Sequence, residues 1–124
     1  MTRREAGGRG ERIAAHYLEK QGMEILDRNV RIGRGELDLI ATEGETLVFV
    51  EVKARSPGFV RPSEAITPAK IARCSSAAIA YLTRKGWLEK DFRFDVVEVV
   101  TAGDSLEIEH LRSAFEFDGR TLYR

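Results

Sequence analysis

With 124 residues, one cysteine and a formal net charge of zero, the chain is the size of one domain, with no internal disulfide and no zinc-cysteine cluster. A composition of 43% hydrophobic and 32% charged residues is that of an ordinary globular protein, and no apolar run approaches a membrane span. The N-terminus lacks the apolar core of a secretory signal, so the default expectation is a cytoplasmic protein without membrane contact.

The zero net charge hides a strong asymmetry. Residues 35 to 52 hold five acids and no base, and residues 53 to 93 hold nine bases against three acids. The last thirty-one residues carry seven acids and three bases. An acidic stretch beside a basic one suits a cation site in a phosphate-attracting surface, and equally a set of solvated faces.

Taken in order, residues 1 to 10 are rich in Arg and Gly, and no strand precedes their Gly-Gly-Arg-Gly run, so it is not a dinucleotide fingerprint. Residues 1 to 8 and 113 to 124 are expected to be flexible or peripheral to a single domain. A helix is expected from Glu11 to Gln21, with Ile13, Ala14, Tyr17 and Leu18 on one face and Gly22 as its stop. Glu11 lies at the rim of that face. It can reach a site on the sheet, or simply compensate the helix dipole.

Residues 23 to 30 read as a first strand, and the basic turn from Arg31 to Gly35 leads into a hairpin. Its strands are Gly35–Ala41 and Leu47–Lys53, joined through Glu43-Gly44-Glu45. Asp38 interrupts the first strand, and Glu51 and Lys53 interrupt the second. Acids and lysine are depleted in strands and seldom buried without partners, so this hairpin demands an explanation.

Strand geometry supplies one. Alternation puts Glu51 and Lys53 on the face of Leu47 and Phe49, leaving Val48, Val50 and Val52 as the core face. It likewise puts Glu36, Asp38 and Ile40 opposite Leu37 and Leu39. Agreement of the apolar positions then requires Asp38 to lie opposite either Glu51 or Phe49. In both registers the two carboxylates are neighbours, within roughly 5–8 Å. Such a pair beside a lysine suits a divalent cation better than a salt bridge. The alternative is a structural ion-pair cluster, which is costly because like charges resist joint ionisation.

Ser56-Pro57-Gly58 ends the strand, and residues 56 to 66 form a loop holding Phe59, Arg61 and Glu64. Thr67 as N-cap and Pro68 at the first position start a second helix, which runs to Lys85 and stops at Gly86. Lys70 and Arg73 lie outside its apolar face near the N-terminal end, where they add to the helix's positive end. Cys74 in this helix reads as a small packed thiol. Residues 92 to 100 form a mostly apolar strand, and residues 106 to 111 a weaker edge strand. His16 and His110 have no pattern of metal or catalytic partners and read as surface or rim residues.

Asp38 followed by Glu51-Val52-Lys53 resembles the PD-(D/E)XK signature of the restriction-endonuclease-like superfamily, and the element order resembles its αβββαβ core. The stretches Gly35–Ala41, Leu47–Ser56, Gly10-Glu11 and Ile25–Asn29 resemble more narrowly the YraN family of endonuclease-like proteins, over roughly residues 7 to 100. The superfamily's proline before the aspartate is replaced here by Leu37. The resemblance implies an α/β fold with a central mixed sheet flanked by helices. It further implies an endonuclease acting on DNA phosphodiester bonds with Mg2+ or Mn2+, related to junction resolvases, and it admits a homodimer. Asp38, Glu51 and the Val52 carbonyl would hold the metal; Lys53 would orient water or stabilise phosphate charge; Glu11 would add to the catalytic set. Arg55, Lys70 and Arg73 would contact the nucleic acid. A non-catalytic nucleic-acid-binding or adaptor domain on the same fold is the alternative reading. A protein-interaction domain using the apolar hairpin edge is a third.

Overall fold

The computed structural model describes residues 3–55 and 67–117, with side chains from residue 8 onward. Two helices and five strands follow one another as α1 (Arg3–Lys20), β1 (Glu24–Ile32), β2 (Gly35–Glu43), β3 (Thr46–Arg55), α2 (Pro68–Lys85), β4 (Phe92–Ala102) and β5 (Ser105–Phe115). The strands form one sheet in the order β1-β2-β3-β4-β5. Only β3 and β4 run parallel; the other neighbours are antiparallel. Parallel neighbours need a long crossover, and the segment carrying α2 supplies it. This is the α/β arrangement of a restriction-endonuclease-like core, as expected.

The helices cover opposite faces of the sheet. On one side Cys74, Ala78 and Leu82 of α2 pack with Ile40, Leu47, Phe49 and Phe94. On the other, Ala14, Ala15 and Leu18 of α1 pack with Leu39, Val48, Val50 and Val97. The expectation of a single core face on β3 is therefore corrected: Leu47 and Phe49 are as buried as the valines, because each face has its own helix. In α2, Thr67 caps as expected, its hydroxyl accepting from the Lys70 N–H at 3.2 Å, and Gly86 closes the helix at φ 73°.

Two boundaries differ most from the sequence reading. Helix α1 begins at Arg3 rather than Glu11, and one of its glycines, Gly10, has a packing reason. Gly10 is buried against β3, where an added Cβ would lie 3.0 Å from the Ala54 Cβ. Strand β5 extends to Phe115, whose ring stacks on Phe94 at 4.7 Å, and Phe117 meets Phe92 edge-on. The tail thus begins as core, and residues 118–124 lie outside the described residues. So does the expected loop with Phe59, Arg61 and Glu64.

His110 is also corrected. Its Nε2 lies 2.8 Å from Asp95 on β4, and its side chain is only 5% exposed. Asp95 additionally accepts from Arg93 Nε at 3.0 Å and from the Ser113 N–H at 2.9 Å. Ser113 has φ 49° and lies where the β4–β5 register shifts between Phe94 and Val96. The Asp95 carboxylate therefore ties together the irregular part of the edge strand.

Candidate functional site

The β2–β3 ladder runs from Glu43↔Thr46 to Leu39↔Val50. Continuing that register by one step sets Asp38 against Glu51, the first of the two registers expected. Here the ladder gives way. Residues 35 to 37 of β2 pair with β1, and residues 51 to 55 of β3 pair with β4. The next bond between the strands comes from a side chain: Asp38 Oδ2 accepts from the Val52 N–H at 2.8 Å. The strands split at this point, and the split opens a notch between them.

Strict alternation also breaks there. Leu37 joins Ile40 in the α2-side core, whereas Leu39 lies in the α1-side core. The expected common face for Leu37 and Leu39 is thus corrected by the bend at Asp38. The β1 register places Asn29 alongside, between Arg28↔Leu39 and Val30↔Leu37. Asn29 has φ 52°, so β1 bends where β2 does.

Four charged side chains meet in the notch. Glu51 Oε1 lies 3.1 Å from the Lys70 Nζ of α2 and 3.6 Å from the Lys53 Nζ. The Cys74 thiol donates to Glu51 Oε2 at 3.7 Å. Asp38 is pushed up to about 7 by burial and by the Glu51 carboxylate, against the lowering effect of the Val52 N–H. Glu11, from α1, is raised by its own burial and by the charges of Glu36 and Glu51, while a hydrogen bond from Asn29 opposes the shift. Three carboxylates thus share one electrostatic neighbourhood. The charge of the helix-rim acid is felt at the sheet site.

The lysines divide. Burial lowers Lys53, and the hydrogen bond with Lys70 lowers it further, with Glu51 pulling the other way. Burial also opposes the charge of Lys70, but the bond to Lys53 and the Glu51 carboxylate outweigh it, so Lys70 ends above its ordinary range. Burial, and next the Glu51 charge, push the Cys74 thiol up to about 12, so it packs as a neutral group.

The model of the uncharacterised protein family UPF0102 matches residues 10–99. The chain belongs to that family. It is the family that the sequence resemblance names as YraN. A UPF0102 protein of Geobacter sulfurreducens is 49% identical over 112 residues, covering 89% of this chain and 88% of its own. One from Geobacter metallireducens is 40% identical over 117 residues, covering 94% and 96%. One from Rhodococcus jostii is 48% identical over 111 residues, covering 88% and 94%. Among solved structures, Pyrococcus furiosus SfsA in complex with Ca2+ is similar at a TM-score of 0.41 and 18% identity, covering 88% of this chain and 63% of that one.

In this UPF0102 chain the remaining expected residues are placed unequally. Arg55 is ion-paired through its Nε with Glu98 Oε1 on β4, so its guanidinium is partly committed within the protein. Arg73 is exposed on α2, and its backbone carbonyl abuts Gly35, where an added Cβ would come within 2.8 Å. Glu98 is fully buried, and its Oε2 has no hydrogen-bond partner among the described residues. Sequence reasoning missed Glu98 because its apolar strand gives no hint of a charged neighbour. It missed the contact of Cys74 with Glu51 because two residues 23 apart meet only through the fold.

The donor set fits a hard divalent cation of small protein demand. Among the described residues, no group of three His, Cys, Asp or Glu side chains gathers in metal-holding geometry. Magnesium needs no such cage, since it keeps several waters and takes one or two carboxylates plus substrate oxygens. Burial and then the neighbouring Glu51 carboxylate raise Asp38, and a cation at the pair would oppose that shift.

Proposed function

We propose that this protein is a divalent-cation-dependent endonuclease that hydrolyses DNA phosphodiester bonds, selecting branched or damaged DNA by shape. The observation that carries the reading is the split of β2 from β3, which sets Asp38, Glu51 and Lys53 in one notch beside the basic start of α2.

Asp38, Glu51 and the Val52 carbonyl would hold Mg2+ or Mn2+, with Glu11 reinforcing the negative field from α1. When bound, the cation polarises a phosphoryl oxygen and lowers the pKa of a bound water. The chain's own residues do the rest. Lys53, whose proton affinity is lowered by burial and by Lys70, is suited to orient the attacking water. Lys70 keeps its charge and can neutralise a phosphate at the notch. Arg73 extends the cationic surface along α2, and Arg55 supplies a further cation held in place by Glu98. The described elements contain no insertion for reading base edges, which favours recognition of DNA shape.

The purified chain, given branched, linear and single-stranded DNA with Mg2+ or Mn2+, should cleave at least the branched substrate. Lys53→Ala should lower the rate by roughly 10²–10³-fold, the usual loss for one charge-stabilising group. No cleavage of any substrate, or full activity in both Asp38→Ala and Lys53→Ala, would overturn the reading.

One observation favours a second reading. The ammonium of Lys70 already satisfies Glu51 at 3.1 Å, as a non-catalytic nucleic-acid-binding domain would have it. That domain would bind DNA in a salt-dependent manner, insensitive to Glu51→Ala and abolished by charge reversal at Lys70 and Arg73. Binding that requires both Glu51 and a divalent cation would exclude it.

A further inference from the structure

Away from the notch, α1 and β5 enclose a groove of about 390 Å³, open to solvent. Its floor is aliphatic and aromatic: Ile13 and Tyr17 from the helix, Leu106 and Ile108 from the strand. Leu106 is 50% exposed, although it lies in a strand beside a core. The rim is basic. Arg12, His16 and Lys20 follow one another at four-residue spacing, forming a row along α1 at steps of about 6 Å. Among the described residues, no carboxylate lines the groove. Among the same residues, β5 pairs only with β4, at the edge of the sheet.

We propose that this groove is a docking site for an acidic peptide segment of a protein partner, one that inserts two or three apolar side chains between α1 and β5. Charge complementarity selects this occupant. Two cations, Arg12 and Lys20, with His16 between them above an apolar floor match acids flanking apolar anchors, with anchors supplying the affinity and charges the orientation. A second copy joined edge to edge through β5 fits poorly. It would bring the acids Glu107 and Glu109 of two strands together on one face, and two basic rows together on the other. Nucleic acid also fits poorly. The floor offers aliphatic side chains, and the one aromatic ring, Tyr17, already meets His110 edge-on with centroids 5.6 Å apart.

The site is separate from the proposed nuclease chemistry, so its residues can be changed without touching the notch. The test is selection of binders from a random twelve-residue peptide library on the full chain. Counter-selection uses two variants, Leu106→Arg and the double change Arg12→Glu with Lys20→Glu. All three positions are exposed, so both variants should keep the wild-type unfolding temperature. Enriched peptides should carry Asp or Glu around Leu, Ile, Phe or Trp. Each should bind at least tenfold more weakly to either variant, and should shift the NMR signals of Ile13, Tyr17 and Ile108. Failure to enrich any peptide, enrichment of basic peptides, or equal binding to the wild type and Leu106→Arg would overturn the proposal. So would displacement of the selected peptide by oligothymidylate. A dimer that Leu106→Arg dissociates, with no peptide enriched, would instead assign the groove to a second copy.

Discussion

Asp38 illustrates how one residue can be both a fault and a function. Its carboxylate replaces a ladder bond by taking the Val52 N–H, and it sits beside Glu51 at a cost in stability. Its proton affinity is raised in the fold, so the folded state holds a proton that the unfolded chain has already lost. The stability contributed by this group is therefore complete below about pH 4 and declines as pH rises through about 7. Thermal unfolding of the metal-free protein should show that decline between pH 4 and 7, and Asp38→Asn should flatten it. A divalent cation binds the ionised form, so the rise in unfolding temperature on adding Mg2+ should be larger at pH 8 than at pH 6. An equal rise at both pH values would speak against Asp38 as a ligand. Cys74, pushed up to about 12 and buried against Glu51, should resist thiol reagents at pH 8 until the protein unfolds. Rapid labelling of the native protein would contradict its packing.

Among the elements, the approach of β2 to α2 fixes the notch. An added Cβ at Gly35 would stand 2.7 Å from the Ala77 Cβ and 2.8 Å from the Arg73 carbonyl oxygen, both on α2. Gly35→Ala should therefore destabilise by about 1–3 kcal/mol, the usual cost of overpacking, measured by denaturant unfolding. It should also shift Lys70 relative to Glu51, and so lower activity more than stability alone explains. On the other side of the sheet, the charge of Asp95 is opposed by burial but held by His110, Arg93 and the Ser113 N–H, which keep its proton affinity below the ordinary range. Asp95→Ala leaves those donors without their acceptor and should cost about 3–5 kcal/mol, as breaking a buried ion pair does. A loss under 1 kcal/mol would mean that the edge strand does not depend on this clamp.

At the scale of the molecule, the sheet order and the site were legible to different depths. Alternation along 47–53 and the need to keep valines buried were enough to predict that Asp38 and Glu51 are neighbours, because register follows from side-chain faces. Thr67-Pro68 and Gly86 marked α2 because caps are local chemistry. The split at Asp38 was not legible, since it depends on a bond from a side chain to a distant backbone N–H. Nor was the start of α1 at Arg3. Glycines argue against helix by propensity, and only contact with Ala54 explains Gly10. His110 read as a rim residue because its partner Asp95 sits on the neighbouring strand. Lys70 was recognised as basic surface, but its grip on Glu51 belongs to the packing of α2 on the sheet. Local signals set the elements, and contacts between elements completed the notch.

The central claim concerns what Asp38 and Glu51 hold. The most direct measurement is a crystal of this protein soaked in Mn2+ at pH 8, with data collected at the manganese edge. The expected result is an anomalous peak among the Asp38 carboxylate, the Glu51 carboxylate and the Val52 carbonyl, with the Lys70 ammonium moved off Glu51. An intact Lys70–Glu51 pair with no peak between the carboxylates would contradict a cation site and leave the notch a structural ion-pair cluster.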